Sequence, residues 1–142
     1  MADADVEKVP LQELYARADY VSLHAPVTDD TRGMVDADAL RAIQEHAVLV
    51  NTGRGGLVDE TALADALREG RIAAAGLDVL RTEPPDEDHP LVGLDNCVVT
   101  PHAGWYSEEA REDLTATVVE NVRAGLAGEV PPNCIDPGTD WL

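Results

Sequence analysis

Apolar residues fall in short blocks along this chain, and the spacing within the blocks changes from helical to strand-like and back. Residues 11–18 (LQELYARA) carry helical spacing. The run YVSLHAPV, 20–27, is rich in β-formers and is stopped by Pro26, which cannot donate to a ladder. Asp36 is placed to cap a short helix with Leu40 and Ile43 on one face. AVLVN, 47–51, is a continuous apolar run of strand length, the pattern of a strand buried on both faces. Asp59 is a candidate cap for a helix over 60–69, with Leu63, Ala66 and Leu67 inward and Gly70 placed to end it. IAAAGLDVL, 72–80, reads as the next strand, and its small residues predict close packing against a helix or ligand. A polar loop, RTEPPDEDHP, leads to the strand NCVVTP, 96–101. Ser107 caps a long helix with Glu108 and Glu109 in its first turn, favourable for its dipole. Leu114, Val118, Val122 and Leu126 recur every four residues and predict a buried face, with Gly128 as the stop. The prolines of VPPNCIDPGTDWL argue against regular structure in the tail.

Strands alternating with helices imply right-handed βαβ units in a parallel sheet. The predicted fold class is α/β, doubly wound, with helices over both faces. Ligands in such sheets bind beyond the carboxyl ends of the strands. The polar and Gly-rich clusters do follow the strands: APVTDDT after YVSLH, TGRGG after AVLVN, Asp78 and Glu83 after AAAGL, and His102 to Trp105 after CVVTP. All four then share one sheet edge.

Composition narrows the class. At 142 residues with 44% hydrophobic residues the chain is expected to be globular. It contains no run near the roughly 20 apolar residues of a membrane span. The acidic N-terminus MADADVEKVP has no apolar stretch of the signal-peptide kind, so a cytoplasmic location is expected. The formal charge of −18 repels phosphate backbones and argues against nucleic-acid partners. Abundant Asp and Glu with Lys8 as the single lysine suggest a halophile's cytosol, against the plainer reading of an ordinary acidic protein. Cys97 and Cys134 have no CxxC or metal spacing and are expected as free thiols, Cys97 as a small core residue. No HxxE, HxH or acidic cluster has ligand spacing, so no metal is expected.

Taken singly, the candidate residues are ambiguous. Arg54 between glycines can present a forked donor to a carboxylate, or can be a surface arginine on a turn. His102, after a proline at a strand end, suits general acid/base work, or is a structural histidine. Glu83 can hold an imidazolium, or is a solvated loop acid. His24 ends a strand and can line the crevice, His46 ends a helix, and His89 lies in an acidic loop; none has an assigned role. Ser22 and Ser107 lack a nucleophile elbow.

The order of the clusters is more telling. LHAPVTDDTRGMV, LVNTGRGGLVDETALADALREGRI, AGLDVLRTEPP, HPL and VVTPHAGWYSEEA resemble the D-isomer-specific 2-hydroxyacid dehydrogenases, from about Leu11 to about Pro132. The resemblance implies the second half of a Rossmann-type NAD-binding domain over residues 1–130, with 131–142 an irregular tail. It implies hydride exchange between NAD (NADP not excluded) and a small 2-hydroxy or 2-keto acid. Arg54 matches the family's substrate-carboxylate arginine, His102 its proton donor or acceptor, and Glu83 that histidine's partner. Ala25, Pro26, Val27, Thr28, Thr31, Thr52, Gly53, Arg54, Asp78, His102 and Gly104 match cofactor-contacting positions. The WYSE after PHAG resembles the C-terminal-binding-protein branch, which implies that Trp105 borders the substrate pocket; a packing role for Trp105 is the alternative.

The chain departs from the family in one respect. It holds no GxGxxG, nor the strand, helix and ribose-binding acid that accompany one. Met1 is therefore expected inside a longer reading frame, or at the start of a split or decayed gene. The strand at Tyr20–His24 becomes an edge with unpaired backbone groups. A homodimer or a complementing N-terminal fragment is expected to cover it, and the isolated chain is expected to be inactive. A non-enzymatic dimerisation or nucleotide-sensing module is the alternative function.

Overall fold

A computed structural model describes residues 6–135. It divides into two compact units, one running to His102 and the other beginning at Ala103.

Among the described residues the first unit holds three α-helices, four strands and a short 3-10 turn at Gly55–Leu57. Helix α1 spans Leu11–Arg17, β1 Tyr20–Leu23, α2 Ala37–Ala42, β2 Val48–Asn51, α3 Glu60–Arg68, β3 Ala74–Leu77 and β4 Cys97–Val99. The strands pair in the order β1-β2-β3-β4, all parallel, so the sheet is the expected one. Its register aligns Val21, Leu49, Ala75 and Cys97 in one row and Leu23, Asn51, Leu77 and Val99 in another. Side chains in register share a face, and of these eight all but the half-buried Cys97 and Val99 are buried. They pack with Tyr15 of α1, Leu40 of α2 and Leu63, Ala64, Ala66 and Leu67 of α3 in a single core. The buried Tyr15 hydroxyl donates to the Met34 carbonyl at 3.2 Å.

The opposite face corrects two expectations. Among the described residues of the first unit the helices cover one face only, and AVLVN is not buried on both. All three helices of this unit lie against one face. On the other, Tyr20, Ser22 and Val98 are exposed and Val48, Val50, Ala74 and Gly76 only half-buried. A side chain at Gly76 would meet open space on this face, whereas Ala75 on the other face is buried in the core.

Helix starts follow the caps. The Asp36 carboxylate accepts from the amides of Asp38 and Ala39, both at 2.9 Å, and the Asp59 carboxylate from those of Thr61 and Ala62 at 3.1 and 3.0 Å. Gly70 follows α3 with φ of +69°, a conformation that favours glycine. The strands are shorter than their apolar runs. Val79 and Leu80 are buried beyond the end of β3, and the chain past Leu23 turns away as loop. His46 does not end a helix, since α2 stops at Ala42; its Nε2 lies 2.6 Å from the Asp19 carboxylate. Cys97 and Cys134 are free thiols, and burial pushes the Cys97 thiol pKa up.

The second unit carries α4, Glu108–Leu126. The Ser107 hydroxyl caps it by accepting from the Ala110 amide at 3.0 Å, and Gly128 follows it at φ of +77°. The buried face expected for α4 is not found. None of its residues is buried, and Leu114, Val118 and Val122 are each about half exposed. The fourfold spacing is there, but nothing within this unit covers it. The tail from 130 to 135 is irregular; 136–142 lie outside the described residues. Among the described residues no helix is long and apolar enough to cross a membrane.

The caps carry a simple test. Asp59→Ala leaves two first-turn amides of α3 without their side-chain acceptor and should cost about 1 kcal/mol. Thermal unfolding should show a melting temperature lower by about 3–5 °C.

Candidate active site

The parallel register brings the ends of β1 to β4 to one edge, and four loops leave from it. After β2 the chain runs through Thr52, Gly53 and Arg54. The buried Asn51 fixes this turn: its amide donates to the Arg54 carbonyl at 3.0 Å and its carbonyl accepts from the Gly53 amide at 3.1 Å. A Cβ at Gly53 would stand 3.1 Å from the Leu23 carbonyl oxygen, so the β1 and β2 loops are tightly apposed. At Gly55 there is no room at all, because a Cβ would lie 2.0 Å from the Leu80 carbonyl carbon and 2.4 Å from the Arg81 nitrogen.

The β1 loop braces itself. The Thr31 hydroxyl donates to the Pro26 carbonyl at 2.6 Å and accepts from the Thr28 amide at 2.8 Å. Thr28 and Thr31, expected at a cofactor, thus have hydroxyls engaged within their own turn. Ala25, Pro26 and Val27 are held facing Gly53 and Arg54, and together with His24 they line a pocket of about 430 Å³. His24 itself lies 2.8 Å from the Ser22 hydroxyl. Arg54 is exposed, and its guanidinium donates to the Gly53 carbonyl at 2.8 Å. Among the described residues no carboxylate lies within ion-pair distance of it.

The ends of β3 and β4 are tied together. The buried Asp78 carboxylate accepts from the Thr100 hydroxyl at 2.5 Å, and the Thr100 amide donates to the Leu77 carbonyl at 2.9 Å. The chain then turns sharply at Pro101, with the His102 amide donating back to the Thr100 carbonyl at 3.0 Å. His102 stands at φ of +54°. Few residues other than glycine adopt that backbone, though histidine is among those enriched there.

Glu83 meets His102 across this edge: its Oε2 lies 2.8 Å from the imidazole Nδ1. Its other oxygen accepts from the Leu80 amide at 2.8 Å. The Leu80 amide, and after it the His102 imidazole, hold the Glu83 carboxyl pKa below the ordinary value. With Nδ1 donating to a carboxylate, Nε2 becomes the nitrogen available for proton exchange. Pro84 and Pro85 extend an apolar wall beside the pair, in a pocket of about 580 Å³ that Val92 and Val99 also line.

The structure therefore brings Glu83 and His102 into contact and places Thr52, Gly53, Arg54 and Asp78 on the same sheet edge. It does not pair Arg54 with either of them. Gly104 and Trp105 belong to the second unit, where Trp105 stacks edge-on against Tyr106 with ring centroids 5.4 Å apart. Reading the sequence assigned no role to Asn51, Gly55 or Thr100. The glycine pair after Arg54 was the one available signal for the second of these. Among the described residues no group of three His, Cys, Asp or Glu side chains is placed to hold a metal.

Comparison with known proteins bears on the family and the fold. Residues 1–104 match the model for the D-isomer specific 2-hydroxyacid dehydrogenase NAD binding domain. A glyoxylate reductase from Korarchaeum cryptofilum is 47% identical over 131 residues, covering 92% of this chain and 40% of the reductase. The crystal structure of the TT0316 protein from Thermus thermophilus superposes with a TM-score of 0.89 at 42% identity, over 96% of this chain and 43% of that one. The NAD-complexed D-isomer specific 2-hydroxyacid dehydrogenase from Lactobacillus delbrueckii ssp. bulgaricus superposes with a TM-score of 0.80 at 30% identity, over 90% and 43%. This chain thus spans about two fifths of the length of these relatives.

The depressed Glu83 pKa fixes the sign of a pH effect. A carboxylate whose folded pKa lies below its unfolded one contributes stability above the unfolded value and loses it as pH falls through the folded one. Wild type should exceed Glu83→Gln in stability at neutral pH. Denaturant titrations below the ordinary carboxylate range should show the gap closing.

Proposed function

The chain belongs to the D-isomer-specific 2-hydroxyacid dehydrogenase family, through its NAD-binding domain, and from that premise we propose that it supplies the proton-transfer side of an NAD(P)-dependent oxidoreductase site for a small 2-hydroxy or 2-keto acid. The observation that carries the reading is the 2.8 Å contact between Glu83 and His102 at the carboxyl edge of a parallel sheet.

In the oxidation direction His102 Nε2 takes the proton of the substrate hydroxyl. The C2–H bond breaks with both of its electrons, and a C=O bond forms at C2. The nicotinamide, when bound, accepts that hydride. Glu83 orients the imidazole through Nδ1 and balances the charge that His102 gains. Arg54 grips the substrate carboxylate; its guanidinium, with no carboxylate partner among the described residues, is available for a two-pronged contact. In reduction the proton and the hydride return, and His102 stabilises the developing alkoxide.

The cofactor's residues fit on the geometry of the β1 and β2 loops. The pocket between Ala25–Val27 and Gly53–Arg54 is open at the strand ends, and its floor at Gly53 tolerates no added side chain without crowding the Leu23 carbonyl. Thr52, Gly53, Asp78 and the 25–31 loop would hold the nicotinamide half, with Thr28 and Thr31 bracing that loop. These 142 residues hold no GxGxxG cradle for the pyrophosphate. NAD and NADP suit the residues present equally. By the family resemblance Gly104 would contact the cofactor, and Trp105 would border the substrate and favour an apolar side chain.

A second reading, a non-enzymatic association module, draws on the bare face of the sheet, where Tyr20 and Val98 are 76% and 65% exposed. That face and the edge strand β1 suit a second copy or a complementing N-terminal segment. Calorimetry with NADH on this chain, with and without a supplied N-terminal half, separates the readings. Enzyme ancestry with retained chemistry requires binding and turnover in the complemented form. Binding without turnover would support the module.

In the complemented form His102→Asn should lower kcat by about 10²- to 10⁴-fold with NADH affinity nearly unchanged; undiminished turnover would remove His102 from the mechanism. Arg54→Lys should raise KM on the order of tenfold for 2-keto acids, because an ammonium cannot reproduce the forked contact. An unaltered KM across several keto acids would dismiss the carboxylate role.

A further inference from the structure

Glu60 opens α3, and its carboxylate reaches the loop that carries Glu83 at two points. One oxygen accepts from the Arg81 amide at 2.7 Å, and the other lies 3.3 Å from His89 Nε2. Both side chains are largely enclosed, His89 at 11% and Glu60 at 14% exposure. His89, which the sequence left as one more polar residue of an acidic loop, is therefore an inward-facing partner. Its Nδ1 accepts from the Leu91 amide at 3.4 Å, which makes Nε2 the protonated nitrogen and Glu60 its acceptor. Beyond His89 the chain is anchored by the fully buried Leu91 and by Arg68, which donates to the Pro90 carbonyl at 2.8 Å.

The loop from Arg81 to His89 is thus closed at both ends on one carboxylate. Glu83 sits two residues past the clamped Arg81 amide. Pinning both ends of a loop removes most of the backbone conformations from which the Glu83–His102 contact must otherwise be selected. The same clamp fixes the Leu80–Arg81 backbone against Gly55, so the Arg54 turn and the Glu83 loop are set in register from one point.

We propose that Glu60, with His89 as its second contact, is a positioning residue that holds the 81–89 loop so that Glu83 stays in register with His102. The proposal deepens the reading of Glu83 and His102 as the proton-transfer pair and rests on it for its catalytic meaning. Its structural content can be tested on the 142-residue chain without turnover.

The test compares wild type, Glu60→Ala and His89→Ala by NMR, following the Glu83 side-chain carboxyl carbon through a pH titration and amide exchange along the backbone. Hydrogen bonds to charged groups are worth enough that the Arg81 amide should exchange about tenfold faster in Glu60→Ala. The Glu83 carboxyl pKa should rise toward its ordinary value in both variants, while residues 48–51 and 74–77 keep wild-type protection. A folded variant in which Glu83 titrates as in wild type would overturn the proposal. So would global unfolding of both variants, because a clamp on one loop is not needed by the whole core. In the complemented enzyme, Glu83→Gln checks the underlying assignment separately. Unaltered turnover there, together with a shifted Glu83 titration in Glu60→Ala, would retire the catalytic reading and leave the clamp standing.

Discussion

The close approach of Gly55 to the Leu80–Arg81 backbone is the contact on which the rest of the strand-end architecture hangs. Two loops from neighbouring strands meet there main chain to main chain, with no side chain between them. That contact fixes where the Arg54 turn ends and where the Glu83 loop begins. From Leu80 the amide reaches Glu83, and Glu83 reaches His102; from Arg81 the amide reaches Glu60. On the far side Asp78 and Thr100 lock the last strand to the third, so the turn that presents His102 starts from a fixed point. The Glu83 and His102 side chains, on separate loops, stay 2.8 Å apart because the backbones beneath them have little freedom to move.

Much of the framework was legible in the sequence, for local reasons. Asp36, Asp59 and Ser107 cap helices by bonding amides two or three residues away, so the signal and its effect share one short window. The strand cores were equally plain, but their ends were not. Val79 and Leu80 are buried without belonging to a strand, because apolar pattern reports burial and not ladder pairing. The same limit explains α4, whose stripe of Leu114, Val118 and Val122 was correctly seen and wrongly expected to be covered. Periodicity marks which residues suit a partner surface; it does not say whether one lies within the chain.

The site divides along similar lines. Arg54, Glu83 and His102 were picked out by resemblance to a family, since each alone had an ordinary explanation. The pairing of Glu60 with His89 was not read from the sequence, because 29 residues separate them and nothing local links the two. Their relation exists only once α3 and the third strand have folded. Asn51 was hidden for a different reason: it ends an apolar run, and its role lies in its own neighbouring backbone, two and three residues on. The three helices of the first unit lie on one side of its sheet, in a chain that spans about two fifths of the length of its relatives. A half-covered sheet of this kind accounts for side chains such as Tyr20 and Val98 that are apolar in chemistry and exposed in position.

The left-handed backbone at His102 acts as a filter on what can stand there. Side chains branched at the β-carbon are strained in that conformation, and most others are disfavoured, while glycine, asparagine, aspartate and histidine adopt it more readily. Of those four, only histidine titrates near neutrality. The sharp turn at Pro101 thus narrows the choice of residue before any reaction is considered, and the single survivor able to pass a proton at physiological pH is the one present. Shape and chemistry select the same residue independently, so a drifting sequence has few neutral steps away from it.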